Sequence, residues 1–465
     1  YGYHIYYGMD SGPVLNTMYG PVHYLSYLPA ALAKSPTIAI LIGELLTVLF
    51  YFLPVFWLHI GEHLHPSKIN NLRFACYIFI LFCVLTTYLS PLSSCAFMIH
   101  SDAPALGFCA IACAILYYRK RNNSIVSLLL SATFSVLAVW TKQTTIPILF
   151  ALPTYILLAN GINCFIRYLL CIGVSGLVIS SLILVFSDSQ ALIFNMLIIP
   201  SHQPWIGLDT GLVPAWSLKG LLSLIELTQN LINYSIGFLI IIILFICYQL
   251  YFSSNKEPQK IQIWFRDNPW VMLVMIALFM VPTLLLALVK IGGNVNNYAF
   301  TLYFLITATN LVLIKTVSDS TVRYKQLTQK AVKLIVFIMI IALSSVQIPE
   351  LTSIFARLPK LANNPQQVAY EFAKKHPGEA YFPWNPLSSL MAEGKLYHIA
   401  YGLYDMKIAG FNLSNQNFRA YIPPHIKYVA FTEKLVIEDT LRYLPEFSKQ
   451  VTVDELPGWT VYTRS

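Results

Sequence analysis

The sequence predicts a mainly α-helical protein, in which a polytopic bundle of transmembrane helices is followed by a small soluble α/β domain. Of the 465 residues, 57% are hydrophobic and only 11% are charged. The apolar residues form runs of about 17–25, the length that a helix needs to cross a bilayer core. After residue 349 the charge density becomes ordinary, and short helix and strand patterns alternate. We therefore expect a transmembrane domain over residues 1–349 and an α/β domain over residues 350–465.

Ten apolar runs are predicted to be transmembrane helices. Because the chain opens at Tyr1 without a signal-peptide pattern, we expect one further span upstream. Residues 1–20 and 188–230 are predicted to be loops, and residues 21–33 an interfacial helix. The predicted spans cover residues 36–60, 72–90, 102–118, 124–141, 143–160, 165–187, 231–252, 269–289, 298–315 and 331–348.

The basic residues lie mostly in short links between alternate apolar runs. The net charge is +9, but Lys and Arg form no single basic face, so we expect no nucleic-acid partner. Links rich in Lys and Arg stay on the cytoplasmic side. We therefore expect an integral protein of the plasma (inner) membrane with its C-terminal domain extracytoplasmic. The same outer face would carry residues 1–35, the loop around Asp102, the turn at Lys142, the loop 188–230 and the link 290–297.

The eight cysteines all lie in or beside the apolar runs. Their spacing gives neither a disulfide framework nor a metal-ligand pattern. Cys109 and Cys113 stand one helical turn apart, which suits two packing residues. We predict no metal site and no cofactor.

Asp102 stands where one apolar run has ended and the next begins, directly before Ala103 and Pro104. An acidic residue and a proline in the first turn are typical of a helix start, so Asp102 can be a cap. It can equally be a carboxylate at the mouth of the bundle that acts as a general base or orients an acceptor hydroxyl. We take Asp102 as a candidate catalytic residue and His100 as a candidate substrate-binding residue.

Two further polar breaks supply candidate ligands. Lys142 and Gln143 lie between two spans, where a lysine either snorkels to the headgroups or holds a lipid phosphate. The link 290–297 combines a lysine, two glycines and three asparagines. It is either a tight polar turn or a site for sugar hydroxyls or a diphosphate. The candidate phosphate-binding residues are Lys142, Gln143 and Lys290, and the candidate substrate-binding residues are Asn294 and Asn296.

The predicted outer loops supply three more candidates. His202 lies in a polar and aromatic segment of a loop long enough to be a lid or binding element, although interfacial anchoring by Trp205 explains the segment equally well. Near the start, Asp10 precedes Ser, Gly and Pro and is by default a turn residue. We take Asp10 as a second candidate catalytic residue, and His202 and Tyr19 as candidate substrate-binding residues.

Taken together, the Tyr19-Gly20-Pro21 run, the Asp102-Ala103-Pro104 helix start, the Lys142-Gln143-Thr144 turn and the trailing extracytoplasmic domain resemble a known superfamily. It is the GT-C superfamily of polyprenyl-phosphate-sugar-dependent glycosyltransferases, in particular its protein O-mannosyltransferase and aminoarabinose transferase branches. The resemblance spans residues 1–315. It implies a first-loop carboxylate as catalytic base and a second acid, matched by Asp102. The first acid would fall before Tyr1, and Asp10 is a nearby substitute.

The resemblance implies transfer of a sugar from a polyprenyl-phosphate-linked donor, itself a membrane lipid, to a glycan, lipid or protein acceptor. Lys142 and Lys290 would balance the charge of the departing phosphate. Two other functions stay open. A transporter or lipid flippase would place ionisable groups at mid-span, where the predicted spans hold only Glu44. The other open function is that of a catalytically inactive scaffold that presents the C-terminal domain.

Overall fold

The computed structural model shows a mainly helical chain, with two small β-sheets among the residues that it describes. It describes residues 3–15, 17–61, 72–118, 124–207, 211–253, 261–318, 325–357, 364–432 and 437–465. These residues form two compact units. The first unit comprises residues 1–43, 181–204 and 353–465, and the second unit comprises residues 44–180 and 205–352.

Helices cover every apolar run of the sequence, because a helix satisfies its own backbone hydrogen bonds in an apolar surrounding. In the first part of the chain the helices are α1 (Pro21–Ser26), α2 (Pro36–Ile60), α3 (Leu72–Tyr88), α4 (Ser90–Ala96), α5 (Asp102–Tyr117), α6 (Ile125–Thr141), α7 (Ile148–Asn160), α8 (Ile162–Phe186), α9 (Ser189–Ile193) and α10 (Ile199–His202). The later helices are α11 (Leu218–Ser253), α12 (Ile261–Asp267), α13 (Trp270–Val289), α14 (Ala299–Ser318), α15 (Lys325–Arg357), α16 (Pro365–Lys375), α17 (Pro386–Glu393), α18 (Ala400–Ile408), α19 (Asn415–Ala420) and α20 (Ile437–Leu441).

Within the described residues, six helices are long and apolar enough to cross a membrane, or seven if a bent pair counts as one span. They are α2, α8, α11, α13, α14 and α15. The predicted number of ten spans is therefore not confirmed. Helices α5 and α6 are apolar but shorter, with 16 and 17 residues, and α7 has only 13.

Helix α14 lies at the centre of the second unit. The candidate span that contains it has 83% of its apolar window buried, against 6% for the span in α15. Its polar groups tie it to neighbouring helices, since the Tyr303 hydroxyl donates to the Tyr51 carbonyl at 2.8 Å. In the same way the Thr301 hydroxyl donates to the Ala277 carbonyl at 2.9 Å. Buried hydroxyls that find such partners stabilise the packing of apolar helices.

The predicted span 72–90 corresponds to α3, and the short helix α4 that follows it was not predicted. Helices α3 and α4 are bent by 101° at the break between them. Pro91 lies in the first turn of α4, where a missing N–H is tolerated, but the same proline could not continue α3. The bend lets α4 pack against the short 3-10 turn Val295–Tyr298, which carries candidate site residues.

The prediction of an unstructured loop over residues 188–230 was wrong. In the first unit, Asp188 caps α9 by accepting from the Gln190 N–H at 2.9 Å, and a π-helix Phe194–Ile198 and α10 follow. In the second unit, strands β1 (Trp205–Gly207) and β2 (Gly211–Val213) form an antiparallel hairpin. Helix α11 then begins at Leu218, well before its predicted start at residue 231.

The C-terminal segment forms the α/β part of the first unit. Its strands β3 (Ala380–Tyr381), β4 (Tyr428–Phe431), β5 (Lys449–Val451) and β6 (Thr460–Thr463) make one sheet in the order β3-β4-β6-β5. The pair β3 and β4 is parallel and the other pairs are antiparallel. Asn364 caps α16 by accepting from the Gln367 N–H at 3.0 Å, which confirms the predicted helix start.

The first unit includes the N-terminal residues, which the predicted boundary at residue 349 had assigned to the transmembrane domain. The Ile399 N–H donates to the Val14 carbonyl at 2.9 Å, and the Val14 N–H donates to His398 Nδ1 at 2.8 Å. A β-carbon on Gly402 would lie 2.7 Å from the Leu15 carbonyl oxygen. Only glycine permits so close an approach of the two backbones.

The predicted orientation rests largely on basic links that lie outside the described residues. These are Lys68 in the link before α3, Arg119, Lys120 and Arg121 after α5, Lys256 and Lys260 after α11, and Arg323 before α15. Glu62, His63, His65 and Asp209 also lie outside the described residues. The side of the membrane on which each loop lies therefore stays a prediction.

Candidate functional site

Asp102 is the first residue of α5 and is completely buried. Its Oδ1 atom accepts a hydrogen bond from Lys142 Nζ. Its Oδ2 atom accepts from Asn296 Nδ2 at 2.6 Å and lies 2.6 Å from His100 Nδ1. The carboxylate thus joins three segments of the second unit through side-chain contacts, besides lying in the first turn of its own helix. We call Asp102, Lys142, His100, Asn296 and Asn297 the Asp102 cluster.

Lys142 follows the last residue of α6 and is only 4% exposed. Besides Asp102, its ammonium donates to Asn297 Oδ1 at 3.3 Å and lies 5.0 Å from the centroid of the Phe300 ring. A cation over an aromatic face is attracted to the ring. The interpretation of Lys142 as a snorkelling anchor is therefore wrong, because its charge is directed into the protein.

The chain around Lys142 holds it in place from both sides. Its N–H donates to the Ala138 carbonyl at 3.0 Å, continuing α6, and its carbonyl accepts from the Thr145 hydroxyl at 2.8 Å. Gln143 opens the 3-10 turn Gln143–Thr145 directly afterwards. Thr283 on α13 fastens this turn by donating to the Thr144 carbonyl at 2.9 Å.

The link after α13 folds into two tight turns that present the asparagines. Gly292 has a positive φ of 78°, a conformation that L-residues rarely adopt. The Asn294 side chain caps the 3-10 turn Val295–Tyr298 by accepting from the Val295 N–H at 3.1 Å. Asn297 donates from Nδ2 to the Asn294 carbonyl at 3.1 Å, which aims its Oδ1 at Lys142. Lys290 pairs through its backbone with Trp205, and burial lowers the pKa of its side chain from the usual value.

Several buried polar atoms near the Asp102 cluster have no hydrogen-bond partner within the described part of the chain. They are Ser101 Oγ, Thr144 Oγ1 and Asn296 Oδ1. Buried polar atoms normally find a partner in protein, water or ligand. Asn296 belongs to the cluster, Ser101 lies between His100 and Asp102, and Thr144 lies two residues after Lys142. Three such atoms so close to the cluster in sequence indicate a site that receives polar atoms from outside the chain.

No model of a known protein family, no curated protein and no solved structure matches the chain.

The Asp102 cluster buries two opposite charges and surrounds them with amide groups. A buried charge pair needs close geometry and further hydrogen bonds to offset its loss of hydration, and Asn296 and Asn297 supply those bonds. His100 is different because 31% of its side chain is exposed. Its Nδ1 atom faces the carboxylate, which orients the ring. The cluster can therefore exchange protons through His100, and Lys142 can balance an incoming anion.

Three predicted site residues belong to the first unit. Asp10 is exposed and accepts from Asn417 Nδ2. The Tyr19 carbonyl accepts from the Tyr6 hydroxyl at 2.6 Å. His202 is exposed, and its Nδ1 lies 2.9 Å from the Ile198 carbonyl oxygen. Each of these contacts is to another residue of the first unit. The predicted catalytic and binding roles of the three residues stay predictions.

The sequence-based prediction missed Asn297 and Phe300 as contacts of Lys142. Asn297 was visible as the third asparagine of the link, three residues after Asn294, so one turn of helix would have placed the two together. Phe300 carried no signal, because one aromatic residue in an apolar run predicts nothing about its neighbours. Among the described residues, no group of three or more His, Cys, Asp or Glu side chains could hold a metal ion.

Proposed function

We propose that this protein is an integral membrane glycosyltransferase. It would move a sugar from a polyprenyl-phosphate-linked donor to a hydroxyl of a glycan, lipid or protein acceptor on the extracytoplasmic face. The observation that carries the proposal is the buried Asp102–Lys142 pair, completed by two asparagines from a distant segment and by the half-exposed His100. An acid, a base and a cation in one polar cluster are the groups that this transfer needs.

In the proposed reaction the acceptor oxygen attacks the anomeric carbon of the donor. The new carbon–oxygen bond forms as the bond between the anomeric carbon and the phosphate oxygen breaks. The electron pair of the broken bond leaves with the polyprenyl phosphate. The acceptor proton passes to the His100 ring, which Asp102 orients and whose positive charge Asp102 then balances.

Lys142 has the role of a phosphate ligand in this proposal. Its ammonium is held by Asp102 and Asn297 before the donor binds. An arriving phosphate competes for the same ammonium, and charge-assisted hydrogen bonds to phosphate are strong. The lysine can then balance the negative charge that develops on the leaving group. Gln143, beside it in the chain, and Lys290 are proposed as further phosphate ligands, and Asn294 and Asn296 as sugar ligands.

The membrane arrangement belongs to the same proposal. All ten apolar helices predicted from the sequence would lie in the membrane, with the shorter α5, α6 and α7 packed inside the bundle. The Asp102 cluster and the C-terminal segment would face the outer side of the plasma membrane. To test the orientation, Lys395→Cys is labelled in intact cells with an impermeant thiol reagent. Labelling above that of the unmodified protein is expected, and protection would reverse the orientation.

The proposed activity is tested in membranes with a polyprenyl-phosphate donor that carries a radiolabelled sugar. Asp102→Asn and Lys142→Ala are expected to lose at least 100-fold of the transfer rate per folded protein, the range typical of general base and anion-stabilising groups. The matched controls are Asp454→Asn and Lys395→Ala, two exposed residues of the first unit. Retention of full transfer by either cluster variant would remove that residue from the site.

A second function, transport of a polar or lipid-linked substrate, is favoured by one observation. The candidate span in α11 carries Glu226, Asn230 and Asn233, all exposed. Ionisable and polar groups within a span often mark the path of a substrate. Sealed vesicles distinguish the two functions, because a transporter moves an unmodified substrate across the membrane whereas a transferase changes its covalent structure on one side.

A further inference from the structure

The second unit contains a cavity of about 730 Å³ that none of the predicted site residues except Asn294 lines. Its walls are formed by α11, the end of α13, the turn Val295–Tyr298 and β1. A volume of this size is within the range of cavities that hold small molecules. The cavity is therefore large enough for one or two sugar-sized groups.

One wall of the cavity is a polar stripe on α11, formed by Glu226, Asn230 and Asn233. Their spacing of four and three residues places them on one face of the helix. The surrounding helix is one of the six candidate spans. Amide and carboxylate groups that faced hydrocarbon would be strongly unfavourable. The stripe is consistent with this constraint because it lines a cavity.

The chemistry of the lining suits a ligand without charge. It offers one carboxylate and three carboxamides, from the stripe and Asn294, together with the phenol groups of Tyr234 and Tyr298. Carboxamides donate and accept hydrogen bonds, and a carboxylate accepts several at once. Among the described residues that line the cavity there is no lysine, arginine or histidine, so a phosphate would meet none of these cations there. Vicinal hydroxyls are the groups that match this set of donors and acceptors.

Two aromatic rings form part of the lining. The Tyr298 hydroxyl donates to the Leu227 carbonyl at 3.1 Å, which anchors that ring, and the rings of Tyr234 and Tyr298 have centroids 5.6 Å apart. The two rings form an apolar surface beside the amide groups. A sugar or cyclic polyol has the same combination, with apolar C–H faces and a rim of hydroxyls.

The turn Val295–Tyr298 connects the cavity to the Asp102 cluster. Asn294 and Val295 line the cavity, while Asn296 donates to Asp102 and Asn297 accepts from Lys142. We propose that the cavity binds an uncharged, hydroxyl-rich head group and that this group is the acceptor. Its assignment as the acceptor rests on the proposed function, whereas its binding by the cavity does not. The phosphate would be bound by Lys142, which lies on the other side of the turn.

Binding is tested without any donor, so that the result does not depend on transfer. The full chain is extracted into polymer-bounded lipid discs, because glycoside detergents would occupy the cavity. Equilibrium dialysis then measures radiolabelled myo-inositol and inorganic pyrophosphate, and a monoglucosyl lipid incorporated in the discs competes with the inositol. Asn230→Leu and Asn233→Leu are expected to weaken inositol binding at least tenfold, and Glu226→Gln by a smaller factor. If the lipid competes with inositol, the head group belongs to a membrane lipid. If the lipid does not compete, the head group belongs to a soluble molecule.

Gln229→Leu is the matched control, because Gln229 is an exposed amide on the same helix that does not line the cavity. Thermal unfolding of each variant shows whether it is folded. Unchanged inositol binding in both folded asparagine variants, no binding by the unmodified chain, or displacement of inositol by pyrophosphate would overturn the inference. Binding without detectable transfer by the unmodified chain would instead refute the proposed function and leave the cavity assignment intact.

Discussion

Lys142 Nζ contacts Asp102 Oδ1, although the two residues are 40 positions apart and belong to different helix ends. The side chain of Asp102 is fully buried and that of Lys142 is 5% exposed. Each charge has therefore lost nearly all of its hydration, and the partner is its main compensation. Removing one partner from such a pair is far more destabilising than replacing both.

A double-mutant cycle on this pair is the first prediction. Asp102→Asn and Lys142→Gln are each expected to lower the free energy of unfolding by about 3–5 kcal/mol, the range for breaking a buried ion pair. The double variant should lose less unfolding free energy than either single variant, because no uncompensated charge remains. Thermal unfolding in lipid discs ranks the stabilities of the three variants and the unmodified chain.

The same three variants separate stability from activity. If the pair belongs to the site, the double variant should fold and still fail to transfer sugar. Additive losses of stability would show that the two side chains are not coupled. Recovery of both stability and transfer in the double variant would mean that the pair is structural only.

The helices could be predicted because each apolar run must satisfy its backbone within itself. One short helix and one helix start were predicted less well. The predicted span 72–90 ended close to the end of α3, but α4 was missed because its seven residues are too few to show a clear helical period. The start of α11 at Leu218 was missed because Glu226 and Asn230 interrupt the apolar pattern, although a polar stripe is compatible with a helix beside a cavity.

The site was predicted in part. Asp102 and Lys142 stood out because each is a charged residue at the junction of two apolar runs. Their direct contact, and the completion of the pair by Asn296 and Asn297, depend on how distant helix ends pack, which periodicity does not report. The inclusion of residues 1–43 in the same unit as the C-terminal sheet was missed for the same reason.

The contact between α5 and α2 provides a second prediction. A β-carbon on Gly107 would lie 2.5 Å from the carbonyl oxygen of Phe50, and a backbone atom cannot move aside as a side chain can. Gly107→Ala is therefore expected to destabilise the bundle by about 1–3 kcal/mol, as overpacking usually does. Thermal unfolding in lipid discs measures the loss.

Gly173→Ala is the matched control for this substitution. Gly173 also lies within an apolar helix, α8, but a β-carbon there meets nothing within 4 Å. Alanine is favoured over glycine in a helix by about 1 kcal/mol, so this variant should be neutral or slightly stabilised. Equal effects at the two positions would contradict a close approach of α5 to Phe50.

The role of His100 provides a third prediction, which rests on the proposed function. If His100 takes the acceptor proton, His100→Gln is expected to lower the rate of sugar transfer at least 100-fold, because a carboxamide cannot act as a base. His376→Gln, at a histidine of the first unit, should leave the rate unchanged. A fully preserved rate in folded His100→Gln would assign the base to another group.

His398 makes the first unit sensitive to acid. The ring is 1% exposed, accepts from the Val14 N–H at Nδ1 and lies 3.2 Å from the Phe418 carbonyl at Nε2. These partners fix the neutral tautomer with its proton on Nε2. Burial lowers the pKa of His398 to about 4, although the hydrogen bonds around it act in the opposite direction.

A lowered pKa in the folded state means that the unfolded chain binds the proton more tightly. The stability from neutral His398 is complete above about pH 6.5 and is lost as the pH falls towards 4, by about 3 kcal/mol in total. The unfolding temperature of the unmodified chain should therefore fall between pH 7 and pH 4. The unfolding temperature of His398→Gln, which keeps an acceptor and a donor but cannot titrate, should fall less. The unfolding temperature of His376→Gln, a half-exposed control, should fall as much as that of the unmodified chain. An equal fall in all three proteins would exclude His398 as the cause.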